Sequence, residues 1–350
     1  MKKTLYTAAC AALMLAILGN AWAVAPGDQS GSIQASSAQG FSDVTQPGNQ
    51  PAHYNLDRVV CVSKQINEFI YEIGAEKHLV AHDLTSIYPP AIRKLPSVGY
   101  HRALSAEGII SMQPTVFLTD GNMGPHAVLD QLIEVGIPVK VIPPGRTMDD
   151  AQQLMFKVGA FFDREKQAEQ VVATWKQDMA KVMAASKLWA NRPKLRVVMI
   201  HFGQIDNSYL AVTGGPSNQL IEWAGGKNIL ANSHGMERLT PELIADAQPD
   251  VIIANQIAFD RFGSSKAFTQ LPGVALTPAG KNRRIYMIME QQSIYFGPRT
   301  PAAILKLAQD FHPEVFKDHP ELVKLLKDLE SQYPSTDYKY GTGVGTDNRS

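Results

Sequence analysis

Few residues in this chain join a reactive side chain to a setting that could use it. The densest group is Gly99-Tyr100-His101-Arg102, which places a phenol, an imidazole and a guanidinium in consecutive positions after a glycine. A phenol ionises near pH 10, so it ligates a metal at neutral pH only where the metal's charge and a nearby cation favour the anion. Arg102 could be that cation, or could hold a carboxylate by a bidentate contact. By residue type alone, Tyr100 is equally a ring packed beneath a loop. His201 follows the apolar run 195–200, at the end where open α/β sheets bind ligands, and is equally a histidine closing a strand. Arg261, with Phe259 and Phe262 beside it, lies after the apolar run 251–254, and Met123 lies on the corresponding earlier loop, 120–124. Phe202, Tyr295, Phe296 and Arg299 are further aromatic and cationic candidates for a cleft, each with an ordinary packing role open to it.

The bulk properties narrow the chemistry. Thirty-three basic residues balance 33 acidic ones, so no basic field points to nucleic acid. Lys2 and Lys3, an apolar run to about residue 18 and Ala21-Trp22-Ala23 predict a cleaved signal peptide over 1–23 and hence export to the periplasm. Cleavage leaves Cys61 as the one cysteine, so no internal disulfide and no cysteine-based metal site can form, and its apolar surroundings predict an inert buried thiol. Gly-x-Ser-x-Gly, His-Glu-x-x-His and phosphate-loop motifs are missing, and Gly225-Gly226-Lys227 is a helix end, so no enzyme is predicted. The nine histidines show no short ligand spacing.

The elements that must position these residues alternate short apolar strands with helices, the pattern of an α/β protein. Strands are predicted over 58–62, 115–118, 139–142, 195–200, 251–254 and 285–289. They are apolar throughout, as in parallel sheets covered on both faces. An internal repeat divides the chain. Asn67-Glu68-Phe69-Ile70 leads to Gly74, as Asn218-Gln219-Leu220-Ile221 leads to Gly225. Ser105-Ala106-Glu107 opens a helix ending at Gln113-Pro114, and Thr240-Pro241-Glu242 opens one ending at Gln248-Pro249. Ser105 and Thr240 are N-cap types. Helix formers over 164–189 predict one long connecting helix, a stiff joint between two Rossmann-like lobes that leave a ligand cleft. The expected boundaries are a flexible leader (24–56), an N-terminal lobe (57–146), a connecting region (147–190), a C-terminal lobe (191–333) and a disordered tail (334–350).

This plan resembles the cobalamin, siderophore and haem class of periplasmic binding proteins. Three segments resemble its haem-uptake branch: 95–108, with Gly99-Tyr100-x-Arg102-x-Leu104-x-Ala106-Glu107; 271–280; and Phe296-Gly297-Pro298-Arg299-Thr300. The resemblance implies that Tyr100 ligates the iron of a transported haem, with His101 or His201 as a possible second ligand. Phenolate oxygen suits ferric iron. His101 departs from the apolar residue usual there, and Phe202 from a glycine. Arg102, Arg261, Met123, Phe202, Phe259, Phe262, Tyr295 and Arg299 become expected haem contacts. Glu107 and Glu242, matched in the two lobes and favourable to their helix dipoles, become docking points for an ABC importer's permease dimer. A monomer is expected. A siderophore or corrinoid of the same class is the nearest other cargo.

Overall fold

The computed structural model describes residues 53–202, 209–230, 235–262 and 265–334, and for 209, 260–262 and 265 the backbone alone. The expected signal peptide, most of the leader and residues 335–350 of the tail lie outside the described residues. The last leader residues that are described join the N-terminal lobe: Tyr54 rests on Phe161, and Asn55 accepts through its carbonyl from Thr115.

The N-terminal lobe runs β1 (Val59–Val62), α1 (Lys64–Glu72), β2 (Leu79–His82), α2 (Ala106–Ile110), β3 (Val116–Thr119), α3 (Ala127–Glu134) and β4 (Val139–Val141). Its four strands are parallel in the order β2-β1-β3-β4. The β-branched run Val-Val-Cys-Val alternates across the sheet. Val59 and Cys61 join Ile66, Phe69 and Met155 on one face, while Val60 and Val62 join Ile109, Leu129 and Leu132 on the other. Both faces are therefore sealed, each buried valine contributing roughly 1.5–3 kcal/mol. Burial, with Asp83 and Asp120 nearby, pushes the Cys61 thiol well up, which makes it inert as expected.

The connection consists of α4 (Met148–Phe161), opened by a capping box between Thr147 and Asp150, and the 21-residue α5 (Glu165–Ala185). The C-terminal lobe then runs β5 (Leu195–Phe202), β6 (Tyr209–Val212), α6 (Pro216–Trp223), β7 (Gly226–Asn228), β8 (Met236–Arg238), α7 (Pro241–Ala247) and β9 (Val251–Asn255). It continues through α8 (Gln256–Phe262), α9 (Ser265–Phe268), α10 (Pro278–Lys281), β10 (Ile285–Ile288), α11 (Glu290–Ile294) and the closing helices α12 (Thr300–Phe311), α13 (Pro313–Asp318) and α14 (Pro320–Ser331). Here the expectation of a parallel sheet holds only for β10, β9, β5 and β7, because β6 and β8 add antiparallel pairings beyond β5. The sheet is mixed. β5 runs two residues further than expected, so its end is long enough to pair with β6 after its start has paired with β7.

The repeat is physical. Ser105 accepts from the Gly108 amide at 3.0 Å and Thr240 from the Leu243 amide at 3.2 Å, capping α2 and α7. A left-handed glutamine follows each helix, Gln113 (φ 51°) three residues past α2 and Gln248 (φ 43°) directly after α7. A matched arginine secures each end: Arg58 donates to the carbonyls of Met112 and Gln113, and Arg196 to those of Ala247 and Gln248.

Candidate functional site

Lys64 stands just beyond the C-terminal end of β1, and Glu290 just beyond that of β10. Their side chains form a buried ion pair, so the carboxyl ends of the two sheets face each other. Open α/β sheets bind ligands at such edges. Ser63 closes β1, caps α1 by accepting from the Ile66 amide, and donates at 2.7 Å to Asp120 at the end of β3.

Tyr100 and His101 stand over this edge. Gly99 takes φ 99°, a conformation that suits glycine, and its carbonyl accepts from Leu84 at 2.8 Å. The Tyr100 carbonyl accepts from Ala103, and the His101 carbonyl from Gly124, so both neighbouring loops fix the segment. The two rings meet edge to face with centroids 4.6 Å apart. His101 Nδ1 lies 3.3 Å from Thr85 Oγ1, whose hydroxyl donates to Asp83. The Thr85 oxygen can then only accept, so neutral His101 carries its proton on Nδ1 and keeps the Nε2 lone pair. Burial first, then the cations Lys64 and Arg102, push the imidazole down to about 4, which leaves it neutral at pH 7.

From the C-terminal lobe, His201 Nδ1 lies 3.2 Å from Asn255 Nδ2. The Asn255 amide oxygen takes the Phe202 and Ala258 amides, so its NH2 group donates to His201. Burial works against the charge of Glu290, yet Lys64, His201 and His101 hold its carboxyl below the usual range. Burial likewise works against Lys64, and Glu290, with Asp83 and Tyr100, holds the ammonium above its ordinary value. Tyr100, His101, Lys64, Glu290 and His201 thus form one electrostatic cluster drawn from both lobes.

A second interlobe seam lies along the same face of α1. Gln65 donates to the Phe296 carbonyl at 2.9 Å and accepts from the Gly145 amide. Glu68 takes two 2.7 Å bonds from Arg299 and one of 3.2 Å from the Tyr295 hydroxyl. Arg299 also lies 3.5 Å over the Tyr88 ring. Burial pushes the Tyr295 phenol well up.

Several expected contacts are therefore committed elsewhere. Arg299 and Tyr295 belong to the seam, where Glu68 takes their donors, and offer no surface to a ligand in this structure. Met123 is 4% exposed in the N-terminal core, and Phe202 is fully buried edge-on to Phe268, because β5 extends through it into the sheet. Phe259 is half-buried and stacks on Phe268. Arg102 is exposed, with a 3.3 Å bond to Asn122. Arg261 and Phe262 fall on α8, but their side chains lie outside the described residues. Glu107 and Glu242 are both exposed in the first turns of α2 and α7. Sequence reasoning missed Lys64, Glu290, Thr85, Asp83 and Asn255. Lys64 left one readable signal, a cation in the first turn of a helix, where the dipole disfavours it and a partner is needed.

The family model described as periplasmic binding protein matches residues 59–292. An uncharacterized ABC transporter substrate-binding lipoprotein, YvrC of Bacillus subtilis, is 24% identical over 88% of this chain and 96% of its own length. A vitamin B12-binding protein of Pectobacterium atrosepticum is 26% identical over 61% of this chain and 76% of its own. Among solved structures, the periplasmic heme-binding protein RhuT of Roseiflexus sp. RS-1, in apo form, superposes with a TM-score of 0.68 at 28% identity. That match covers 74% of this chain and 99% of RhuT.

Proposed function

We propose that this chain, which belongs to the periplasmic binding protein family, binds haem between its lobes and delivers it to an inner-membrane ABC importer for iron uptake. The observation that carries the reading is the Tyr100–His101 pair, fixed at the carboxyl edge of the first sheet and set within a two-lobe charged cluster. A phenolate is one hard anionic donor, suited to a ferric ion whose other donors arrive with it in a macrocycle. Likeness to a heme-binding protein supports the same choice. Tyr100 is the iron ligand, and neutral His101, with Nε2 unprotonated, is its partner or the second donor. His201, from the other lobe, shares Glu290 with His101. Arg102 at the exposed rim and Arg261 remain the proposed propionate contacts.

Glu107 and Glu242, capped alike in the two lobes, dock on the two permease subunits. Signal cleavage after residue 23 places the monomer in the periplasm, and its lobes are 57–146 and 191–333.

The vitamin B12-binding relatives favour a corrinoid as the second reading. Parallel equilibrium titrations of purified protein with ferric haem and with cyanocobalamin separate the two. Saturable haem binding with no response to cobalamin is expected. Cobalamin binding without haem binding would replace this reading by the second.

A further inference from the structure

Two buried cations cross between the lobes, and their partners differ. Arg299 is clamped: its guanidinium makes a bidentate pair of bonds to Glu68 and lies on the Tyr88 ring. Lys64 has three N–H donors and, among the described contacts, a bond to Glu290 alone. Its position sets it apart too. Lys64 is the first residue of the nine-residue α1, at the end of β1, where the helix N-terminus and the strand edge both favour an anion. Glu290 shows that a carboxylate is held at this place.

We propose that Lys64 is a ligand-contacting residue of the cleft, kept in position by Glu290 in the empty protein and shared with, or passed to, a carboxylate of the bound ligand. The inference rests on the haem reading, because a haem propionate is that carboxylate. The other carboxylates near Lys64 act on it only at a distance, their oxygens taken by neutral donors. Asp83 takes the Thr85 amide and the hydroxyls of Thr85 and Ser86, and Asp120 takes Ser63 and the Asn122 amide. The unit positive charge of the ferric macrocycle is neutralised by the Tyr100 phenolate, so the propionate's own charge is left to the protein's cations. Arg102 then serves at the rim and Lys64 at the floor, which gives a carboxylate-bearing macrocycle two unlike anchors. A neutral macrocycle of similar size meets a floor whose ion pair gains nothing from it.

Titration of the wild type and of Lys64 variants with haem and with haem dimethyl ester tests the proposal. Losing a charge-assisted bond should weaken ester binding by about ten- to a hundredfold. Lys64→Met, checked for folding by circular dichroism, should lose about tenfold of that preference, the remainder belonging to Arg102, whereas Lys64→Arg should keep it whole. Equal affinities in the wild type, or an undiminished preference in Lys64→Met, would overturn the role of Lys64 while leaving haem binding established. Failure of the wild type to bind haem at all would overturn the functional reading and this inference together.

Discussion

Two ion pairs leave the same helix, four residues apart, and cross to the same stretch of the opposite lobe, yet they do different work. Glu68–Arg299 is sealed, with side chains 1% and 7% exposed and both Glu68 oxygens bonded. Lys64–Glu290 is less closed, at 15% and 8%, and stands among a phenol and two imidazoles. A sealed bidentate pair holds lobes together, because either charge left alone is strongly penalised. A monodentate ion pair that is less closed and borders the cleft groups can exchange partners. The seam behind is architecture and the pair in front is the floor of a site.

The largest way to sharpen this contrast is Arg299→Met, which strands Glu68 in the interior. Denaturant unfolding should show a loss of about 3–5 kcal/mol. A loss under 1 kcal/mol would mean that water reaches the seam.

One turn further along α1, burial and the nearby Glu68 push the Glu72 carboxyl up to about 8. The native state therefore holds this proton more tightly than the unfolded chain does. Stability from this group is present in acid and falls by a few kcal/mol as pH rises from about 4.5 through 8. Glu72→Gln should flatten that slope, as followed by the unfolding midpoint between pH 5 and 9.

The smallest effect belongs to the floor. Glu290→Gln should cost about 1–3 kcal/mol, less than Arg299→Met, because Lys64 can turn to the cleft and to water. A cost equal to that of Arg299→Met would erase the distinction between the two pairs.

What was legible in the sequence follows the range of the interactions. Local signals read well: the caps at Ser105 and Thr240, the glycines after α1 and α6, the helix formers of α5 and the apolar runs of β1, β3, β4, β5, β9 and β10. β2 (Leu-Val-Ala-His) and β6 (Tyr-Leu-Ala-Val) carry one β-branched residue and an alanine each, a weaker strand signal than the valine- and isoleucine-rich runs, and the antiparallel edge went unread with them. Long-range pairings left no local trace of which residue is the partner. Lys64 and Glu290 lie 226 residues apart, and Glu68 and Arg299 231. Arg299 and Tyr295 therefore read as candidates for a ligand when their partner was a glutamate on α1. The Tyr100 segment was found through its motif, whereas the Thr85–Asp83 relay behind His101 could be seen only once the loops were folded together.

The central claim is that Tyr100 supplies an anionic oxygen to ferric iron. Visible and resonance Raman spectra of the purified protein loaded with ferric haem, beside those of Tyr100→Phe, test it most directly. The account predicts a high-spin tyrosinate signature in the wild type that disappears in Tyr100→Phe. The same spectrum in both proteins, or a histidine-ligated spectrum in the wild type, would contradict it.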